Sequence, residues 1–177
     1  MKRLYLFVTG QFPKDYKKDI YWSEEEVRKL PVWNSLDYDE IILCGGEPTM
    51  FHSDTRDLAK GLRNVLHSMG KTNVKLFLHT HSCNYADSDE IMRHCDGMIV
   101  KPLNADSMRY FRQLNKHFLD TQYRGEKDLR LDVKPELRGF LPENMKLWQI
   151  VGEESDKDVE KFSFRIEKLF HYECYNW

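Results

Sequence analysis

Short apolar runs and longer amphipathic stretches take turns along this chain. Residues 4–8, 40–44, 74–80, 97–100, 129–133 and 146–151 are brief, rich in aliphatic side chains and bounded by polar or turn-forming residues. Such runs predict six buried strands. Between them the apolar positions space out to helical intervals. Ser23 and the three glutamates after it cap a helix with Val27 and Leu30 on one face, which Pro31 shortens. Ser53 or Asp54 opens a second helix carrying Leu58, Leu62, Val65, Leu66 and Met69, and Gly70 ends it. Ser88-Asp89-Glu90 starts a short one through Ile91 and Met92, and Asp106 precedes another with Met108, Phe111, Leu114, Phe118 and Leu119. A last helix is expected from near Asp156, carrying Val159, Phe162, Ile166, Leu169 and Phe170.

Strands separated by helices are the pattern of an α/β protein with parallel strands and crossover helices. Right-handed crossovers then bring every strand's carboxyl end to one rim. A closed eight-unit barrel takes about 250 residues, and this chain has room for roughly six units. The expected architecture is therefore a partial (β/α)6 barrel, with a doubly wound open parallel sheet as the alternative. No linker-like segment divides residues 1–177, so one domain is expected.

Composition narrows the functional classes. The chain is 41% hydrophobic and 32% charged, as globular proteins are, and its net charge of -2 gives no general basic surface for nucleic acid. No apolar run approaches the roughly 18 residues of a membrane span, and Met1-Lys2-Arg3 leads into a strand rather than a signal peptide. Cys44, Cys83, Cys95 and Cys174 are too scattered for a disulfide framework, so a cytoplasmic protein is expected.

Candidate chemistry gathers at the ends of the strands. Gly45-Gly46-Glu47-Pro48 follows the second run directly, where α/β folds bind ligands. A plain turn explains the same residues, with glycines relieving strain and Pro48 starting a helix. Thr80, His81, Lys101 and Asp132 stand at later strand ends and could line the same mouth, Lys101 facing a carboxylate or phosphate. His79, His81 and Cys83 alternate, and would share a face fit for zinc or iron if the strand runs that far. Alternatively Leu76 and Leu78 fill the core and turn His79 and His81 to the other side, near the helices. Lys14, Lys17 and Lys18, interleaved with Phe12, Tyr16, Tyr21 and Trp22, read as an exposed loop that could grip an anion or a partner. The ring-rich stretch from His171 to Trp177 would plug an open barrel edge, with a dimer contact as the alternative.

Ile41-Ile42-Leu43-Cys44-Gly45-Gly46-Glu47-Pro48 resembles the second strand and Gly-Gly-Glu-Pro motif of the radical S-adenosylmethionine superfamily, particularly its short activators of glycyl-radical enzymes and anaerobic ribonucleotide reductase. Residues 75–82 resemble that family's third strand, and Cys95-Asp96-Gly97 with the run after it resembles the fourth. The similarity covers about residues 3–135 and fades over 136–177. It implies a partial barrel in which the backbone of Gly45, Gly46, Glu47 and Pro48 receives the ammonium of S-adenosylmethionine. The family's Cys-x3-Cys-x2-Cys, which holds three irons of a [4Fe–4S] cluster, should follow the first strand. Here residues 9–22 contain neither cysteine nor histidine.

The expected protein is thus a radical-SAM-like chain that has lost its cluster ligands. It would bind a small molecule (S-adenosylmethionine or a nucleotide) or a protein partner, with no iron–sulfur cofactor and no radical chemistry. An active radical enzyme with atypical or partner-supplied ligands is the second reading. A metal-dependent enzyme, such as a hydrolase on His79, His81 and Cys83, is the third.

Overall fold

A computed structural model of the chain describes residues 2–9, 38–81, 85–121, 127–152 and, for the backbone, 159–163. Among the described residues seven strands form one sheet: β1 (Arg3–Phe7), β2 (Glu40–Cys44), β3 (Lys75–Thr80), β4 (Gly97–Val100), β5 (Asp128–Asp132), β6 (Gln149–Val151) and β7 (Val159–Ser163). Their order is β6-β5-β4-β3-β2-β1-β7, and every pairing is parallel. Three helices are described: α1 (His52–Ser68) between β2 and β3, α2 (Tyr85–Met92) between β3 and β4, and α3 (Ala105–Asp120) between β4 and β5. The protein is α/β with an all-parallel sheet. No described helix is long and apolar enough to cross a membrane.

Alternation along the strands separates two faces. Leu4, Leu6, Ile41, Leu43, Leu76, Leu78, Met98, Val100, Leu129 and Leu131 point one way and form a single cluster with the buried residues of all three helices. The other face carries a much smaller apolar cluster of Ile42, Cys44 and Phe77, flanked by Tyr5, Phe7 and Ile99, with no residue from a described helix. That second face also buries charge. Glu40 is 2% exposed and accepts from Arg3 Nε at 2.8 Å and from Arg130 Nη2 at 2.7 Å. The Arg130 guanidinium lies 4.3 Å from the Phe77 ring centre and also donates to Asp128. Burial works against the charge on Arg130, but the hydrogen bonds to Asp128 and Glu40 outweigh it and raise its proton affinity further.

Gly97 makes that arrangement possible. A Cβ there would fall inside van der Waals contact of both the Asp128 carbonyl oxygen and the Phe77 ring. Gly97→Ala is expected to destabilise the protein by about 3 kcal/mol, the upper part of the usual overpacking range, because a backbone carbonyl has little room to yield. Urea unfolding measures this. A change smaller than about 0.5 kcal/mol, the size of a neutral surface substitution, would mean the Phe77 layer packs elsewhere.

Several sequence expectations are corrected. The helix expected from near Asp156 is replaced at residues 159–163 by β7, which pairs with β1 through all five positions from Arg3↔Val159 to Phe7↔Ser163. Val159 and Phe162 fit a helical interval, but β1 offered an edge, and tertiary pairing overrode local spacing. Val65 and Met69 are 41% and 43% exposed, so the buried stripe of α1 is Thr55, Ala59, Leu62 and Leu66. Asn104, not Asp106, caps α3, in a capping box with Ser107. On α3 the polar Asn115 is buried where Leu119 is only partly so. Asn115 donates to the Asn144 carbonyl at 2.9 Å and accepts from Trp148 Nε1 at 3.1 Å.

Candidate functional site

β2 ends on Cys44, and the chain turns at Gly45 and Gly46, with φ of 82° and 41°. Both angles lie in the left-handed region that favours glycine. At Gly45 space is a second constraint: a Cβ would sit 2.7 Å from Phe7 Cδ1 and 2.8 Å from the Thr9 carbonyl oxygen. Pro48 then opens a short 3-10 helix, Pro48–Phe51, which runs into α1. Thr55 of α1 donates to the Pro48 carbonyl at 2.9 Å and ties the two together.

Glu47 is the pivot of this turn. It is fully buried, at 0% exposure. Its Oε1 accepts from the Thr49 backbone at 3.2 Å, from Thr49 Oγ1 at 2.7 Å and from Thr80 Oγ1 at 2.7 Å. Its Oε2 accepts from the His81 backbone at 2.7 Å. The carboxylate therefore staples the turn after β2 to the end of β3. A buried carboxylate needs such donors. Its side chain supports the rim, while the backbone of Gly45 and Gly46 forms it.

The remaining rim residues continue the chain of contacts. His81 Nδ1 lies 2.9 Å from the Lys101 carbonyl oxygen. A carbonyl only accepts, so Nδ1 carries a proton and donates it to that oxygen. Lys101 Nζ pairs with Asp132 Oδ2 at 2.7 Å, with both side chains mostly buried. Thr80, His81, Lys101 and Asp132, proposed from their strand-end positions, are thus brought together across β3, β4 and β5. Lys134 is exposed beyond them.

His79 lies half-buried on the face away from the helices, since Leu76 and Leu78 face the helical layer. The sequence alternative that turned His79 toward the helices is corrected accordingly. Its ring meets that of His81 edge-on, 4.9 Å between centres. Burial holds His79 well below the ordinary imidazole range, and the positive potential of His81 and Lys101 lowers it further. Cys83 lies outside the described residues, as do the basic loop from Phe12 to Trp22 and the ring-rich stretch from His171 to Trp177. Among the described residues no three His, Cys, Asp or Glu side chains are grouped to hold a metal ion.

Of the four cysteines, Cys44 and Cys95 are described. Cys44 joins the small apolar cluster beneath the turn. Cys95 stands two residues before β4, at the opposite end of the sheet, and burial pushes its thiol up to about 12. Sequence reasoning missed Thr49 and the Arg3–Glu40–Arg130 layer. Thr49 was legible as a hydroxyl two residues after an acidic helix cap; the charged layer left only the faint signal of ionisable residues at strand starts.

Comparisons with protein-family models, with curated proteins and with solved structures find no match to the chain.

Proposed function

We propose that this chain is a radical-SAM-like binding protein that recognises S-adenosylmethionine or a related nucleotide at its strand-end rim and leaves it uncleaved. The observation carrying this reading is the Gly45-Gly46 turn, fixed at the carboxyl end of β2 by the fully buried Glu47 carboxylate. A rim so anchored presents backbone polar groups without needing Glu47's side chain for the ligand.

A partial barrel fits the sheet better than a doubly wound fold. β1 to β6 follow one another in sequence order, and the described helices share one face. In a doubly wound sheet helices cover both faces. Flat neighbouring strands lie about 4.8 Å apart, which would separate β2 from β5 by roughly 14 Å. The 2.7 Å contact between Glu40 and Arg130 favours a sheet curled around this face. On this reading the seam of the barrel falls between β6 and β7.

A [4Fe–4S] cluster does not fit the donors at hand. Three thiolates belong after β1, and residues 9–22 supply none. Among the described residues only Cys44 stands at this rim, whereas Cys95 is a buried, protonated thiol at the far end. No reaction step is therefore assigned to a cluster.

Thermal unfolding with S-adenosylmethionine, S-adenosylhomocysteine and ATP tests the proposal. At about 100 times Kd a ligand contributes about 2.7 kcal/mol, or roughly 5–10 °C in Tm for a domain of this size. Recovered S-adenosylmethionine should be intact, and Gly46→Ala, forced into the left-handed region, should melt cooperatively yet lose the shift. No shift with any of the three sinks the reading. So does release of 5′-deoxyadenosine after anaerobic iron and sulfide reconstitution.

A further inference from the structure

The strand register sorts the curved face into rows above its charged floor. Leu78 pairs with Met98 and Met98 with Leu129, so alternation sets His79, Ile99 and Arg130 in one row and His81, Lys101 and Asp132 in the next row outward. The Arg130 side chain leaves its row and descends to Glu40 and Asp128. His79 is left facing outward along this face beside His81 and Lys101. Its ring nitrogens have no hydrogen-bond partner among the described residues. On β2, Cys44 follows Leu43, which pairs with Leu78, and so lies across from His79, and the Glu47 carboxylate is occupied by Thr49, Thr80 and the His81 backbone. Among the described residues the acidic group in the outer row is Asp132, drawn to Lys101.

We infer that His79 and Lys101, on either side of His81, form a subsite for an anionic oxygen, a carboxylate or phosphate of the bound ligand. The inference rests on the reading of this rim as a ligand mouth and adds the chemistry of what reaches its floor. His79 offers a ring N–H that no described residue takes up. Lys101 supplies a cation in the adjoining outer row, beside His81. Asp132 competes with the incoming anion for Lys101, so it sets affinity from the outside. A neutral imidazole N–H and an ammonium together suit an oxyanion and not a cation.

The test is NMR of the full chain carrying 13C-labelled histidine, titrated separately with inorganic phosphate and with acetate at constant ionic strength. The His79 and His81 ring signals should shift along a saturable curve with at least one anion, and which anion responds identifies phosphate or carboxylate as the source. Lys101→Met should weaken binding about tenfold, the loss of one charge-assisted hydrogen bond. Asp132→Asn should tighten it about threefold by releasing Lys101, a gain that damage to the fold does not mimic. No saturable shift of His79 with either anion, or an Asp132→Asn protein no tighter than the parent, overturns the subsite. Stabilisation by S-adenosylmethionine without an anion response removes this inference and keeps the proposed function. The reverse pattern keeps the subsite and removes that ligand.

Discussion

Replacing Glu47 with alanine is expected to destabilise the fold by about 3–5 kcal/mol, the range for removing one partner from a buried, hydrogen-bonded charge. Urea unfolding at neutral pH measures it, and the same loss appears as a drop in Tm of roughly 10 °C. The size follows from what is left behind. The backbone N–H groups of Thr49 and His81 and the hydroxyls of Thr49 and Thr80 all point at the carboxylate. With the acceptor gone, these buried donors lose an interaction that water, excluded from a fully buried site, does not restore. Glu47→Gln keeps the shape and one oxygen but turns the other into an amide facing a donor, so about half the loss is expected. Because the turn between β2 and α1 hangs on this residue, ligand binding in Glu47→Gln should weaken along with stability. A loss below about 1 kcal/mol for Glu47→Ala, the scale of a single exposed interaction, would show that the rim does not depend on the carboxylate.

Glu40→Ala is expected to cost about 3 kcal/mol, for the opposite electrostatic reason. Glu40 is the shared counterion of two arginines whose side chains are each 12% exposed, Arg3 and Arg130. A guanidinium does not shed its proton within the folding range, so both stay charged when the carboxylate is removed. Arg130 keeps Asp128, at 2.7 Å, which places the expected loss at the lower end of the range for broken buried pairs. The Asp128 carboxyl is held below the usual carboxylate range first by its hydrogen bond from Arg130, with burial opposing and the nearby Arg130 and Lys75 charges adding to the lowering. A double-mutant cycle of Glu40→Ala with Arg130→Met separates the pair from its surroundings. The two changes should be coupled by about 1–3 kcal/mol, as contacting residues in one network are. Strict additivity would mean that β2 and β5 do not meet across this face, and the curled sheet proposed above would lose its main support.

Local spacing carried a good deal of this architecture. The strands near residues 4–8, 40–44, 74–80, 97–100 and 129–133 were legible because each is a short aliphatic run between turn-forming residues, and the observed strands overlap all of them. Helix α1 was legible from its apolar interval, although the interval alone did not tell that Val65 and Met69 face outward. The rim turn was legible too, since paired glycines ahead of an acidic residue and a proline have few other uses at a strand end. Where Glu47 would find its donors was not. Thr80 lies 33 residues away and His81 34, and nothing in the local pattern connects them.

The amino-acid order alone was enough to dictate alternating strands and helices, a carboxyl-end turn at Gly45-Gly46-Glu47-Pro48, and the lack of cysteine and histidine from residue 9 to residue 22. These depend on near neighbours, whose side chains meet whatever the rest of the chain does. Folding in three dimensions chose the partners: Arg130 for Glu40 across 90 residues, His81 for Lys101, and β1 for the segment Val159–Ser163. Those choices follow from strand order and register. A shift of one residue in register moves every side chain of a strand to the opposite face, and no local spacing records it.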